Sequence, residues 1–189
     1  MVDSIHLESL SGQETMNNIQ GWMGEPELEW LFEMAKGMRS IIEIGSWKGR
    51  STLALLSGCP GPVYAVDHFK GDSDSFIQQG MVKREDVYET FMKNVGHFPN
   101  LRVLRMNSSD AARGFSPMVD MVFIDGEHSY DSVKADLEAW LPKAKKLICG
   151  HDWEPASMYE GLRQAVHEKL GEVKSFKSIW FKELNGSNS

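Results

Sequence analysis

The stretch from Ser40 to Thr52 constrains this chain more than any other. Its β-branched run predicts a buried strand, two glycines predict a tight turn, and the apolar residues that follow predict a helix. We expect Gly45 to let a ligand approach the backbone where a Cβ would collide, and Gly49 to relieve packing where the helix begins. Unpaired N–H groups at the start of that helix would face the ligand, so the stretch predicts a binding loop in an α/β fold.

The residue pattern of this loop limits which ligand it can hold. No Gly-Lys-Ser/Thr closes the turn, and Gly45-x-x-x-Gly49 is not the Gly-x-Gly-x-x-Gly of dinucleotide-binding proteins. The acid Glu43 argues against a polyphosphate and favours an adenosine ligand that carries a positive charge. A second predicted strand ends in Asp67, which lies 22 residues after Gly45 (67 − 45). This spacing is typical of a carboxylate that binds ribose hydroxyls.

Length and charge exclude several classes of protein. The chain has 189 residues, enough for one domain with a sizeable core. Its 20 basic and 27 acidic residues give a net charge of −7, so we expect no nucleic-acid partner. Cys59 and Cys149 do not suggest a disulfide framework, and no signal or transmembrane segment is evident. These features predict a cytoplasmic location without membrane association.

The pattern divides the chain into an arm, a domain and a tail. Residues 1–20 have no clear period and are interpreted as an N-terminal arm, which would be a natural contact in a homodimer. The domain extends over 21–184, and 185–189 are expected to be disordered. Within the domain, Trp22 is interpreted as a packing residue in preference to a ligand contact, and 68–83 as a functional loop. Ser157 with Glu160 predicts a capping box at the start of a helix.

Further polar side chains follow the third, fourth and fifth predicted strands. After the third strand, Ser109 or Asp110 could hold a purine edge, or these residues could cap the next helix. Asp125-x-x-His128 follows the fourth strand, and His151-Asp152 follows the fifth. Because parallel strands end at the same edge of a sheet, these groups should converge. They predict a site for a divalent cation, with carboxylate oxygens as hard donors and His128 as a base.

The segment from Val122 to Leu137, with Trp140-Leu141 and Gly150-His151-Asp152, resembles one branch of the class I S-adenosylmethionine-dependent methyltransferases. That branch contains macrocin-type sugar O-methyltransferases and cephalosporin-biosynthesis relatives, and its metal strand ends look similar to those of catechol O-methyltransferases. The resemblance implies a Rossmann-like, doubly wound α/β fold. Its seven-stranded sheet would be mostly parallel, with an antiparallel last strand and helices on both faces. The implied reaction is O-methylation of a hydroxylated small molecule.

The resemblance also implies roles for individual residues. The implied cofactor-binding residues are Glu43, Gly45, Ser46, Gly49, Ser51, Asp67, His68, Ser109, Asp110 and Asp125. Asp125 and His128 would be catalytic, and Asp125, His151 and Asp152 would bind Mg²⁺ or Mn²⁺. His151 departs from relatives that carry an aspartate there, which would soften the metal site.

Three other functions stay open. A nicotinamide-dependent oxidoreductase is disfavoured by the missing middle glycine and by the lack of a Tyr-x-x-x-Lys pair. A metal-dependent hydrolase could use His128, His151 and Asp152. A catalytically inactive protein that binds the cofactor is the third alternative.

Overall fold

The computed structural model describes residues 18–71 and 76–184. The strands are β1 (Ile41–Ile44), β2 (Val63–Val66), β3 (Leu101–Leu104), β4 (Val119–Ile124), β5 (Ala144–Gly150), β6 (Lys174–Phe176) and β7 (Ile179–Glu183). The helices of this part of the chain include α1 (Glu25–Lys36), α2 (Arg50–Gly58), α3 (Phe76–Val82), α4 (Val87–Val95), α5 (Ser108–Gly114), α6 (Tyr130–Trp140) and α7 (Glu160–Leu170). Most of the expected N-terminal arm (1–17) and the expected disordered tail (185–189) lie outside the described residues.

The strands form one sheet in the order β3-β2-β1-β4-β5-β7-β6. Strands β1 to β5 are parallel, and β7 is antiparallel to both β5 and β6. From β1 the chain adds strands β2 and β3 on one side, and it then adds β4 and β5 on the other side. Sheets of this type bind their ligands at such a switch point, here between β1 and β4. The predicted fold class is therefore confirmed, and all five parallel strands end at the same edge.

Helices cover both faces of the sheet because side chains alternate along each strand. Ile41 packs with α1, α2 and α4 on one face, whereas Ile42 packs with α5, α6 and α7 on the other. Glu43 follows the same alternation and therefore points toward α2. On α6, the buried positions Val133, Asp136, Leu137 and Trp140 lie on the sheet-facing side, so an acid enters the core with its apolar neighbours.

Three local expectations differ from the structure. The predicted loop 68–83 contains the short helix α3, and residues 72–75 within it lie outside the described residues. The predicted capping box is wrong, because Tyr159 is the N-cap of α7 and Ser157 lies in a turn closed by the Met158 N–H on the Pro155 carbonyl. Helix α5 begins at Ser108 with Asn107 as N-cap, two residues before Asp110.

Within residues 18–71 and 76–184, every helix is too short or too polar to cross a bilayer.

Candidate active site

A cavity of about 1040 Å³ lies along the carboxyl edge of the parallel strands. Loops that follow β1 to β5 supply most of its wall. The predicted site residues that line it are Gly45, Ser46, Ser51, Asp67, His68, Ser109, Asp125, His128, His151 and Asp152. One cavity therefore contains the glycine loop, the expected ribose acid and the expected metal site.

Three predicted site residues, Glu43, Gly49 and Asp110, are not among those that line the cavity. Asp110 is on the outside of α5, where it forms an ion pair with Arg113 one helical turn away. Gly49 is the N-cap of α2, and a Cβ there would lie 3.2 Å from the side chains of Phe91 and Val95. These positions correct the expectation of direct cofactor contact for Asp110 and confirm the packing reason given for Gly49.

Glu43 is fully buried beneath the glycine loop. Its carboxylate accepts hydrogen bonds from Ser51 Oγ at 2.6 Å and Thr52 Oγ1 at 2.5 Å, which fixes the first turn of α2 to the end of β1. Burial raises its pKa to about 7, although the two hydroxyl groups oppose that shift. Glu43 thus supports the binding loop from below, and the expected direct contact with a ligand is corrected.

The structure gives a reason for glycine at position 45 that is independent of any ligand. Gly45 has φ +86°, and an added Cβ would lie 2.1 Å from the carbonyl oxygen of Asp125. The close approach is therefore between two strand-end loops, and no side chain can fit between them. This contact sets the glycine loop directly against the segment that carries Asp125.

Asp67 connects the loops that follow β1 and β2. Its Oδ2 accepts hydrogen bonds from the N–H groups of Ser46 at 3.0 Å and Trp47 at 2.8 Å, and its Oδ1 accepts one from the N–H of Phe69 at 2.6 Å. Both Trp47 and Phe69 have left-handed backbones, with φ of +46° and +59°. Asp67 therefore stabilises two unusual turns, and its position at the cavity wall leaves its remaining acceptor capacity for a ligand.

A compact cluster of two carboxylates and one imidazole forms where β4 and β5 end. His128 Nε2 lies 2.5 Å from Asp152 Oδ2, and one ligand atom from each of Asp125, His128 and Asp152 lies within 4.8 Å of the other two. Asp152 has φ +59°, a strained backbone of the kind found at functional sites. Such a set of two oxygens and one nitrogen fits a divalent cation, with Mn²⁺ favoured over Mg²⁺ by the imidazole.

The two carboxylates have different electrostatic environments. Burial raises the pKa of Asp125 to about 6, a shift that the facing His151 opposes and the neighbouring Asp152 reinforces. Burial would also raise the pKa of Asp152, but hydrogen bonds with His128 and His151 hold that pKa well below its usual range. Asp152 is therefore the firmly ionised member of the cluster.

His151 occupies a different place from the one expected. The structure brings together Asp125, His128 and Asp152, whereas His151 is buried behind them, its Nδ1 3.4 Å from Asp152 Oδ1 and 3.7 Å from Asp125 Oδ1. Its Nε2 lies 3.2 Å from Oε1 of Glu27. Burial alone would lower the pKa of His151, but hydrogen bonds with Asp152 and Glu27 raise it to about 10. His151 is thus a charged neighbour of the cluster, and the histidine that groups with Asp125 and Asp152 is His128.

The sequence reasoning missed three side chains, Glu27, Asp136 and Tyr159. Glu27 and Asp136 are buried acids that contact residues lining the cavity. Trp22 is 56% exposed and lines the cavity, and its ring centroid lies 6.0 Å from that of Trp47. Tyr159 lies with its ring centroid 5.1 Å from that of His128, and its hydroxyl is hydrogen-bonded to Asp152. Burial, reinforced by Asp152, raises the Tyr159 pKa to about 12. The acidic first turn of α1 and the inward position of Asp136 on its helix were the available signals.

Comparison with known proteins identifies relatives of both the sequence and the fold. A family model described as a methyltransferase domain matches residues 42–153. An uncharacterized protein, y4gI, of Sinorhizobium fredii is 27% identical over 146 residues, which are 69% of this chain and 16% of that protein. The chain thus spans about a sixth of the length of that relative.

Solved structures share the fold at low sequence identity. An O-methyltransferase from Bacillus cereus in complex with SAH has a TM-score of 0.65 and 17% identity, covering 98% of this chain and 92% of that one. The O-methyltransferase TomG from Streptomyces achromogenes, in complex with SAM, has a TM-score of 0.63 and 13% identity, with the same coverage. The SAH-bound Podospora anserina methyltransferase PaMTH1 has a TM-score of 0.61 and 12% identity, covering 96% of each chain.

Proposed function

Because the chain belongs to this family of methyltransferase domains, we propose that it transfers the methyl group of S-adenosylmethionine to a hydroxyl of a small molecule. The observation that carries the proposal is that one cavity contains both the glycine loop with Asp67 and the cluster of Asp125, His128 and Asp152. The SAM- and SAH-bound structures with the same fold support this choice of cofactor. The resemblance of the Asp125–Tyr130 segment to the macrocin-type branch supports oxygen as the methylated atom.

Methyl transfer needs an aligned and deprotonated oxygen more than it needs covalent help. The cluster provides a base for this purpose, because Asp152 holds the imidazole of His128 in place at 2.5 Å. Asp125 and Asp152, with His128, would hold a divalent cation in the same position. Such a cation, when bound, lowers the pKa of a substrate hydroxyl and orients its oxygen. Metal dependence of turnover distinguishes these two ways of activating the hydroxyl.

The rim of the cavity favours a substrate with an apolar part. Trp22, Ile77, Met106 and Met158 are large apolar side chains that are exposed to solvent, and all four line this cavity. Exposed apolar side chains grouped around a pocket are typical of a ligand-binding surface. We therefore favour a catechol- or polyketide-like acceptor over a bare sugar. Its hydroxyl would reach the carboxylates while its apolar part contacts the rim.

Isothermal titration of S-adenosylhomocysteine, with and without Mg²⁺ or Mn²⁺ near neutral pH, tests the cofactor. We expect micromolar binding, followed by methyl transfer from S-adenosylmethionine to a hydroxylated acceptor, with and without a chelator. Absence of S-adenosylhomocysteine binding under every metal condition would overturn the proposal. Chelator-sensitive esterase or phosphatase activity in that case would support the hydrolase.

A further inference from the structure

Tyr159 lies beside the pair formed by Asp152 and His128 and contacts both residues. Its ring centroid is 5.1 Å from that of His128, with 49° between the ring planes, and its hydroxyl is hydrogen-bonded to Asp152. The side chain is half-buried and also lines the cavity. Activation of a substrate hydroxyl by His128 and Asp152 does not by itself account for a tyrosine that contacts both of them.

The hydrogen bond between Tyr159 and Asp152 has a fixed direction. A phenol keeps its hydrogen at neutral pH because its ordinary pKa is about 10, whereas an ionised carboxylate can only accept. Asp152 is the firmly ionised member of the cluster, so the Tyr159 hydroxyl is the donor. A phenol that keeps its hydrogen is a poor proton acceptor, and Tyr159 therefore acts on the base and is not itself the base.

The other two donors restrain the carboxylate of Asp152 unequally. His128 Nε2 lies 2.5 Å from Oδ2, whereas His151 Nδ1 is 3.4 Å from Oδ1, which is longer than the usual N–H···O hydrogen bond. One short contact and one long contact hold the plane of a carboxylate weakly. A further donor in a fixed place is needed to hold it firmly, and the Tyr159 hydroxyl is such a donor.

The backbone that carries Tyr159 is held on two sides. Tyr159 is the N-cap of α7, and its carbonyl accepts the N–H of Arg163 at 3.1 Å. Arg163 Nη1 donates to the carbonyl of Trp153 at 2.8 Å, and the Trp153 N–H donates to the carbonyl of Ser178 at 2.9 Å. Residues 153–159 are thereby tied both to α7 and to the turn between β6 and β7. Support of this kind keeps a functional side chain in a precise position.

We propose that Tyr159 is a positioning residue, whose hydroxyl holds Asp152, and through it His128, in the orientation in which His128 takes the proton of a substrate hydroxyl. The inference rests on the proposed function, because Asp152 and His128 are the base assigned there. The ring and the hydroxyl of Tyr159 then have separate effects. The ring is part of the cavity wall, and the hydroxyl determines how well the base is placed.

Tyr159→Phe keeps the ring and removes only the hydroxyl, so it tests the two effects separately. For methyl transfer from S-adenosylmethionine to a catechol, kcat should fall by about 10- to 100-fold, because a small displacement of a catalytic group is costly. The KM for the catechol and the Kd for S-adenosylhomocysteine should stay within about twofold of the parent values. Tyr159→Leu also loses the ring and should raise KM as well.

Tyr130→Phe is the matched control for loss of a hydroxyl. Tyr130 also donates to a carboxylate, that of Glu168 at 2.6 Å, but it is not among the residues that line the cavity. This variant should change neither kcat nor KM. A fall in kcat for Tyr159→Phe that comes with an equal loss of S-adenosylhomocysteine affinity, or with a lower Tm than that of Tyr130→Phe, would indicate a structural residue and overturn the inference.

The imidazole of His128 provides a second readout that needs neither cofactor nor acceptor. Long-range proton–nitrogen NMR spectra report the hydrogen bonding of both ring nitrogens; they are recorded with a chelator, and His128→Gln assigns the signals. The His128 signals should shift in Tyr159→Phe and stay in place in Tyr130→Phe. Unchanged His128 signals in Tyr159→Phe, or a kcat equal to that of the parent, overturn the positioning role. Failure of the parent to bind S-adenosylhomocysteine refutes the proposed function instead, and the His128 signals then still decide whether Tyr159 positions the pair.

Discussion

Glu27 anchors the first turn of α1 to two distant parts of the chain, and its removal should be strongly destabilising. Its carboxylate accepts hydrogen bonds from the N–H of Gly24 at 2.7 Å and of Ser178 at 2.9 Å, and it lies 3.2 Å from His151 Nε2. Burial would raise the pKa of Glu27, but the contacts with His151 and these backbone groups lower it. The ionised carboxylate is therefore the form that the fold stabilises.

Glu27→Ala leaves a charged imidazole and two backbone N–H groups without their acceptor. Removing one partner of a buried ion pair costs about 3–5 kcal/mol, and each unsatisfied donor about 1–3 kcal/mol. Because the N–H groups of Gly24 and Ser178 can be partly rehydrated, we expect the free energy of unfolding to fall by about 3 kcal/mol in all. For a domain of this size, each kcal/mol lowers Tm by about 2–4 °C, so Tm should fall by about 6–12 °C. Glu27→Gln retains an acceptor oxygen, so its Tm should lie between those of the parent and Glu27→Ala.

Differential scanning calorimetry at pH 7 measures this effect. Glu29→Ala is the matched control, since Glu29 lies on the same helix but is exposed and should change stability by no more than about 0.5 kcal/mol. The difference between the parent and Glu27→Ala should narrow as the pH falls below 4.5, the ordinary pKa of the group, because the lowered pKa stabilises the fold only while the carboxylate is ionised. A Tm for Glu27→Ala equal to that of Glu29→Ala would refute the anchoring role.

Four further predictions concern the site and its support. Asp67→Ala should weaken S-adenosylhomocysteine binding at least about 10-fold in calorimetry, because both the ribose contact and the acceptor of the Ser46 and Trp47 N–H groups are lost. An affinity equal to that of the parent would refute the role of Asp67 in cofactor binding. Asp125→Ala should abolish turnover while the affinity for S-adenosylhomocysteine stays nearly intact, and loss of both would indicate a structural role. Since the Glu43 pKa is about 7 in the fold, the parent should lose up to about 3 kcal/mol of unfolding free energy as the pH rises from 4.5 to 7. In Glu43→Gln, the unfolding free energy measured by urea titration should depend less on pH. The same pH dependence in both proteins would contradict the burial argument. Met158→Ser should raise KM for an apolar catechol with little change in kcat. Met118→Ser is the control, because Met118 is also exposed but lies outside the cavity, and it should change neither constant. Equal changes in KM for the two variants would argue against substrate binding by the apolar rim.

The sequence predicted the sheet well because its strands are defined by local patterns. The β-branched run before Gly45 and the continuous apolar run of β4 each form a strand on the basis of neighbouring residues alone. Helix α3 was missed because its seven residues lie within 68–83, where no period is sustained. The start of α7 was missed because a matching Ser-x-x-Glu pattern competes with the turn that Pro155 begins.

The candidate site was predicted to the level of strand ends but not to the level of individual contacts. Parallel strands bring Asp67, Asp125 and Asp152 to one edge of the sheet regardless of how the loops are folded. Their convergence therefore follows from the sheet topology. Which of the two histidines groups with Asp125 and Asp152 depends on side-chain direction. Glu27 holds His151 from a position 124 residues away in the chain, and no local pattern in the sequence reports that contact.

Asp136 shows where physical reasoning could have gone further from sequence alone. Its spacing from Val133, Leu137 and Trp140 places it on the buried face of α6, and an acid on such a face needs a partner or a function. Ser108 supplies one hydrogen bond, but it is already committed in direction by Trp140 and satisfies only one oxygen. The second oxygen lies on the side of Gly126, 3.7 Å from where a Cβ of that residue would be. An acid in an otherwise apolar helical stripe is thus a signal for a buried polar contact with a neighbouring element, here the start of α5.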